Sequence, residues 1–151
     1  MALNILFGPP INPDILSNFF LLSGKHFVCG GSTAQCVARF LKVNVVLSLH
    51  YENPDVPPIS KIEGVDLVTE GIITMNIVLK MFLENAPVSD AQDGASLIYK
   101  ELRNSSEINF FLGKENSENK QFIQLKSKKE IVSSLTSILQ NLGKNVVAKE
   151  V

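Results

Sequence analysis

The chain has little that would tie it to a metal, a nucleic acid or a membrane. It holds two cysteines and two histidines in 151 residues. Cys29 and Cys36 stand seven positions apart, on a strand end and two turns down the following helix rather than in a disulfide framework, so both are expected reduced. His26 and His50 lack metal-ligand spacing to either cysteine, and no resident metal or cofactor is expected. The 14 Lys and Arg residues are matched by 15 Asp and Glu, for a formal charge of -1. They are spread along the chain, so no basic field exists to hold a nucleic-acid backbone. No apolar run approaches the roughly 20 residues that cross a bilayer, and the N-terminus lacks the basic start and cleavage site of a signal peptide. A cytoplasmic protein with no membrane partner is expected. Internal repeats and low-complexity tracts are absent.

A 45% hydrophobic content over 151 residues is enough for one core, and residues 1–151 read as a single α/β domain. Asn4 to Gly8 is an apolar strand that ends in Gly8-Pro9-Pro10. Asn12, followed by Pro13 and Asp14, signals the start of a helix that carries Ile15, Leu16, Phe19, Phe20 and Leu22 and ends at Ser23-Gly24. A second strand, Phe27 to Cys29, stops at Gly30-Gly31. Ser32 or Thr33 then opens a helix whose Ala34, Val37, Ala38 and Leu41 recur at helical spacing.

Asn44 to Leu49 reads as a third strand. Asn53 to Pro58, with three prolines, can only be a loop, and strand resumes at Val65 to Val68. With no helix between those two strands, a mixed sheet is expected. Thr69-Glu70-Gly71 opens the most apolar helix, Ile72 to Leu83. Its polar stripe is Asn76, Lys80 and Glu84, so all but one narrow face should be buried. Asp90 or Asp93 caps a helix with Ala95, Ile98 and Leu102, and Ile108 to Leu112 is the next strand. The polar stretch from Lys114 to Lys126 predicts an exposed, mobile loop. Ser127 and Glu130 form a capping box before a helix that Gly143 stops, and Asn145 to Val151 closes the chain as a strand. The pattern predicts a three-layer α/β sandwich, a mixed, mostly parallel sheet of about six strands with helices on both faces.

In such sheets ligands gather at the carboxyl ends of the strands. Three turns fall there if their strands are parallel: Gly8 to Asn12, Gly30 to Thr33, and Thr69 to Gly71. The plain reading is that all three are helix caps and packing glycines. The functional reading is that the unpaired amides behind Gly30, at the positive end of a helix dipole, receive a small anion or phosphate. The candidate ligand-binding residues are Gly8, Gly30, Gly31, Ser32, Thr33, Asp66, Thr69 and Glu70. The turn matches neither the P-loop nor the three-glycine dinucleotide spacing. Cys29 sits where a helix N-terminus lowers a thiol pKa, but a cysteine-phosphatase loop needs an arginine six residues on, where Gln35 stands. It is expected to be a small buried residue at a strand end. Glu63, Asp66 and Glu70 form the one acidic cluster of interest. Asp66 and Glu70 on one strand face suit a divalent cation or a general base, or equally a capping network, and a structural role for Asp66 is favoured because buried carboxylates commonly fix loops.

Several motifs occur in a telling order: Gly8-Pro9-Pro10; Val28-Cys29-Gly30-Gly31-Ser32-Thr33-Ala34 with Val37-Ala38-Arg39; Val56-Pro57-Pro58; Ile62-Glu63-Gly64-Val65-Asp66-Leu67-Val68-Thr69-Glu70-Gly71; Asp93-Gly94-Ala95-Ser96; and Leu142-Gly143-Lys144. Together they resemble the C-terminal region of stage II sporulation protein E-like Ser/Thr protein phosphatases of anaerobic bacteria. Ser32 stands where that family is expected to have threonine, and the polar loop from Lys114 also departs from it. The resemblance implies a separate metal-dependent phosphatase domain ahead of a segment like this one. That domain's metal-binding aspartates find no counterpart in Asp14, Asp55, Asp66, Asp90 or Asp93. The resemblance therefore implies a non-catalytic accessory or regulatory domain, or a detached fragment, whose partner is a phosphatase catalytic domain in cis or in trans. A small anion-binding enzyme at the Gly30-Gly31 turn, with Ser32, Thr33 and Glu70 as polar groups and Asp66 as base or metal ligand, is the alternative.

Overall fold

Strand β1 (Ala2–Phe7) shows how the sheet is built. Side chains alternate along a strand, so Leu3, Ile5 and Phe7 point to one face and Asn4 and Leu6 to the other. All five are fully buried, which places β1 in the sheet's interior. A computed structural model describes residues 1–114 and 125–151. The loop expected from Lys114 to Lys126 thus lies, over 115–124, outside the described residues. β1 pairs in parallel with β2 (Lys25–Cys29) on one side and with β6 (Glu107–Leu112) on the other. Beyond β2 come β5 (Leu67–Thr69), parallel, then β4 (Ser60–Lys61) and β3 (Val46–Leu47), each antiparallel to its inner neighbour. Beyond β6 lies β7 (Asn145–Glu150), parallel. The order is β3-β4-β5-β2-β1-β6-β7.

Helices α1 (Ile15–Leu21) and α2 (Gly31–Leu41) cover one face, on a core of Leu6, Leu16, Phe19, Val28, Val37, Val68 and Phe111. Helices α3 (Ile72–Leu83), α4 (Gly94–Asn104) and α5 (Lys128–Asn141) cover the other, on a larger core around Ile5, Phe7, Met75, Val78, Tyr99, Ile108 and Leu135. This is the expected α/β sandwich with a mixed, mostly parallel sheet. It has seven strands rather than about six. The addition is β4, whose two residues directly follow Pro57, Pro58 and Ile59 and are too short to carry an alternating pattern.

The strand read at Asn44 to Leu49 pairs only at Val46 and Leu47, whose side chains are 62% and 71% exposed, so it is a thin edge rather than a buried strand. No charged residue lies between Val43 and Leu49. The opposite edge, β7, ends in Lys149 and Glu150, and Lys129 stands 3.3 Å from the Glu150 carboxylate. Within the sheet the buried Asn4 amide donates to the Ser23 and Lys25 carbonyls at 3.0 and 3.1 Å and accepts from Asn109 at 2.9 Å. Those bonds satisfy the one polar side chain that β1 buries.

The sequence-level helix starts are met except at α2 and at α1, which begins at Ile15 with Asp14 in the cap position, while Asn12 accepts the Asp14 amide at 3.0 Å in the turn before it. Asp93, not Asp90, caps α4 by accepting the Ser96 amide at 2.9 Å, and Ser127 and Glu130 form the capping box of α5. Helix α2 begins at Gly31 with Gly30 as its cap, one or two residues ahead of Ser32 or Thr33. Helix α3 is less enclosed than its composition suggests. Its solvent stripe holds Ile73 and Leu83, 38% and 67% exposed, beside Lys80 and Glu84, while Ile77 is half-buried. Val78, at 0% exposure, lies in the core. Val78→Asp is expected to cost about 3–5 kcal/mol through an uncompensated buried charge. Lys80→Gln, which gives up only an exposed pair with Glu84, should stay within about 0.5 kcal/mol. Chemical denaturation midpoints measure both, and equal tolerance would contradict this placement.

Candidate functional site

The carboxyl ends of β1, β2 and β5 lie on one edge because the three strands are parallel neighbours. Backbone bonds carry the ladder past the last paired residues. Gly8 donates its amide to the Cys29 carbonyl at 3.4 Å, and Gly30 donates to Thr69 at 2.9 Å. Gly8, Gly30, Gly31, Ser32, Thr33, Thr69 and Glu70 are therefore brought to one edge. Asp66 is not. It precedes β5 at the opposite end, where its carboxylate accepts the His26 amide at 2.7 Å and its own amide donates to the His26 carbonyl at 3.0 Å. Glu63, in the turn from β4 to β5, stands at that far edge too. The shared strand face for Asp66 and Glu70 fails because β5 is only three residues long and the two carboxylates flank its opposite ends. Among the described residues no three His, Cys, Asp or Glu side chains are grouped to hold a metal ion.

The residues at the near edge differ in what they offer a ligand. Gly8 is sealed: its φ is +98°, and a Cβ there would stand 3.0 Å from the Gly113 and Lys114 backbone. Gly30, at φ +119°, has Gly71 against it, such that a Cβ on Gly71 would lie 3.1 Å from the Gly30 Cα. Glu70 is engaged. Its carboxylate accepts the Thr74 amide at 2.8 Å and the Ile73 amide at 3.3 Å, closing the N-terminus of α3 with a charge that its dipole favours. The Thr69 hydroxyl donates to the Glu70 carbonyl at 2.9 Å. Gly31 is open, with nothing among the described residues within 4 Å of a Cβ built on it, and Ser32 is exposed. No side chain caps α2 and no acidic residue lies in its first turn.

Cys29 is fully buried beneath this turn. Burial pushes its thiol up to about 12, a hydrogen bond with Thr69 offsets part of that, and the nearby Glu70 charge adds to it. The thiol is therefore neutral at physiological pH, the opposite of the lowered pKa that nucleophilic use would require.

Other features of this edge carry weak sequence signals. Helices α1 and α2 follow one face and α3, α4 and α5 the other, so the strand order reverses between β1 and β6, the usual ligand crevice of an open sheet. Here that crevice is closed by backbone pairing, Gly113 to Phe7 and Lys114 to Pro9, both at 2.8 Å. A glycine directly after the strand ending at Leu112 was the signal for it. Lys128, 5% exposed, stands in the first turn of α5 with its ammonium 5.8 Å from the Phe7 ring centre. A lysine at a helix start opposes the dipole, and that anomaly alone marks it in the sequence. A cleft of about 420 Å³ opens on the other side of Thr69, between Val46, Leu47, Pro57, Pro58 and the start of α4. Gly94 lines the cleft, and a Cβ on it would stand 3.0 Å from the Thr69 methyl.

Comparison with protein-family models, with curated proteins and with solved structures gave no match. No helix among the described residues is long and apolar enough to cross a membrane.

The two thiols should react very differently. With the native protein, iodoacetamide is expected to label the half-buried Cys36 and to spare Cys29, which should react only once guanidinium unfolds the chain. Peptide mass spectrometry reads the sites, and equal native labelling of both would contradict the burial of Cys29.

Proposed function

We propose that this chain is a non-catalytic ligand-sensing domain that acts with a metal-dependent Ser/Thr protein phosphatase catalytic domain of the stage II sporulation protein E-like kind, in cis or in trans. The observation that carries the reading is the composition of the near edge. The amides of Gly31, Ser32 and Thr33, with the exposed Ser32 hydroxyl, are suited to binding, while the neighbouring reactive groups are committed elsewhere. Glu70 caps α3, Asp66 fixes β5 to β2 at the far edge, and the Cys29 thiol is held neutral. Hydrolysis of a phosphoester at a metal pair needs carboxylates that hold both ions and their water. The motifs from Gly8 to Lys144 supply the choice of partner, since their order resembles the segment that follows the catalytic domain in that family.

The test uses a phosphoserine peptide with manganese. The pure chain should release no phosphate. Added to such a catalytic domain, or fused behind it, the chain should change kcat or KM at least about twofold, a change in barrier of roughly 0.4 kcal/mol. Manganese-dependent turnover by the chain alone, lost on Asp66→Asn, would overturn the non-catalytic reading. Unchanged kinetics both in trans and in fusion would overturn the partnership.

A further inference from the structure

Five helices begin in the described residues, and α2 differs from the others of comparable length in how its first turn is satisfied. Glu70 closes α3, Asp93 closes α4, and Ser127 with Glu130 closes α5. At α2 the amides of Gly31, Ser32 and Thr33 have no partner among the described residues, because a helix cannot supply one and Gly30 has no side chain to do so. An uncapped start proves little alone, since water can serve it. Thr33 adds a second and independent observation. The residue is 1% exposed, yet its hydroxyl makes no hydrogen bond among the described residues. That hydroxyl is turned back toward the cap, so close that a Cβ on Gly30 would lie 2.7 Å from its Oγ1. An unpaired hydroxyl beside the cap, on the same turn as amides that have no partner among the described residues, leaves a donor set with no acceptor there.

We propose that the first turn of α2 binds a singly charged oxyanion group, a carboxylate or a phosphodiester, through the Gly31, Ser32 and Thr33 amides and the Thr33 hydroxyl. This rests on the reading of the glycine turn as the ligand edge and names the ligand's chemistry. The open side is at Gly31, where no atom of the described residues stands within 4 Å of a Cβ built there. The charge of the ligand follows from its neighbours. The helix end supplies a partial positive charge of about half a unit. The Glu70 carboxylate lies close enough to act on Cys29 directly beneath the turn, and it opposes any second negative charge. Cys29 itself stays neutral and adds nothing. A second negative charge doubles the attraction to the half-unit helix end, but it also doubles the repulsion from the full charge of Glu70 and raises the dehydration cost, which favours the monoanion.

The experiment is an NMR titration of the full isotope-labelled chain at constant ionic strength and pH 8, with acetate, dimethyl phosphate and methyl phosphate as probes. Acetate, dimethyl phosphate or both should shift the Gly31, Ser32 and Thr33 amides saturably, and whichever binds identifies the source of the oxyanion. Methyl phosphate, mostly dianionic at pH 8, should bind at least about threefold more weakly. Thr33→Val should weaken the monoanion at least about fivefold and Thr33→Ser should restore it, as expected for one lost hydrogen bond. Gly31→Val, whose side chain has room in the fold, should abolish the shifts, and it keeps the test decisive if Thr33→Val does not fold. No saturable shift with either monoanion, tighter binding of the dianion, or full binding by a folded Gly31→Val protein would overturn the proposal. Those outcomes leave the phosphatase kinetics untouched, and failure of the partnership likewise leaves the titration standing.

Discussion

Where β2 and β5 end, two backbones come within van der Waals contact. A Cβ on Gly71 would lie 3.1 Å from the Gly30 Cα and 3.6 Å from the Phe7 ring. That contact sets the start of α3 beside the start of α2, so two helices that leave on opposite faces of the sheet begin almost at one point. The second such contact, Gly8 against Gly113, binds the ends of β1 and β6 so closely that a Cβ on Gly113 would fall inside the Gly8 carbonyl. Space requires glycine at Gly71 and Gly113, and backbone angle favours it at Gly8 and Gly30, because a side chain would force neighbouring strands apart at the end that carries the loops. The edge is thereby built from main chain, and its chemistry is the chemistry of amides.

Among the described residues, Thr74 and Thr136 are the ones whose buried side-chain oxygens lack a partner, and other polar groups packed inside are tied to neighbouring segments. Asn4 spends its amide on Ser23, Lys25 and Asn109, which ties β1 to both neighbours. At the other end of the sheet the Lys144 ammonium donates to the Arg103 and Ser105 carbonyls, both at 2.7 Å, and so closes the C-terminus of α4. Partial burial and the Arg103 charge hold the Lys144 pKa below its ordinary value. Beside the closed starts of α3, α4 and α5, the first turn of α2 stands out.

Much of the architecture was legible because the parallel strands are short apolar runs ending in glycine, and because Asp93, Ser127 and Glu130 sit where helix starts need them. Local pattern could not reveal β4, which exists only because its neighbours on both sides offer partners. Nor could it place Asp66, since the face a residue shares depends on where its strand stops, and β5 stops after three residues. The convergence of Gly8, Gly30 and Thr69 followed from strand order, whereas the sealing of Gly8 by Gly113 and the capping role of Glu70 depend on contacts between distant segments or on side-chain rotamer. Composition misled at α3, where Ile73 and Leu83 share the solvent stripe with charged residues.

The two borders of the sheet are unequal, and the inequality limits how chains can join. Along β7 the charges of Lys149 and Glu150 discourage a new strand, while β3 presents Val46 and Leu47 with no charged residue beside them from Val43 to Leu49. A sheet with two bare borders can propagate into a fibril, each copy offering a fresh template to the next. This one has a single border without charge, β3, and it is only two residues long. If two copies meet there, each consumes the other's only template, and growth terminates at a pair.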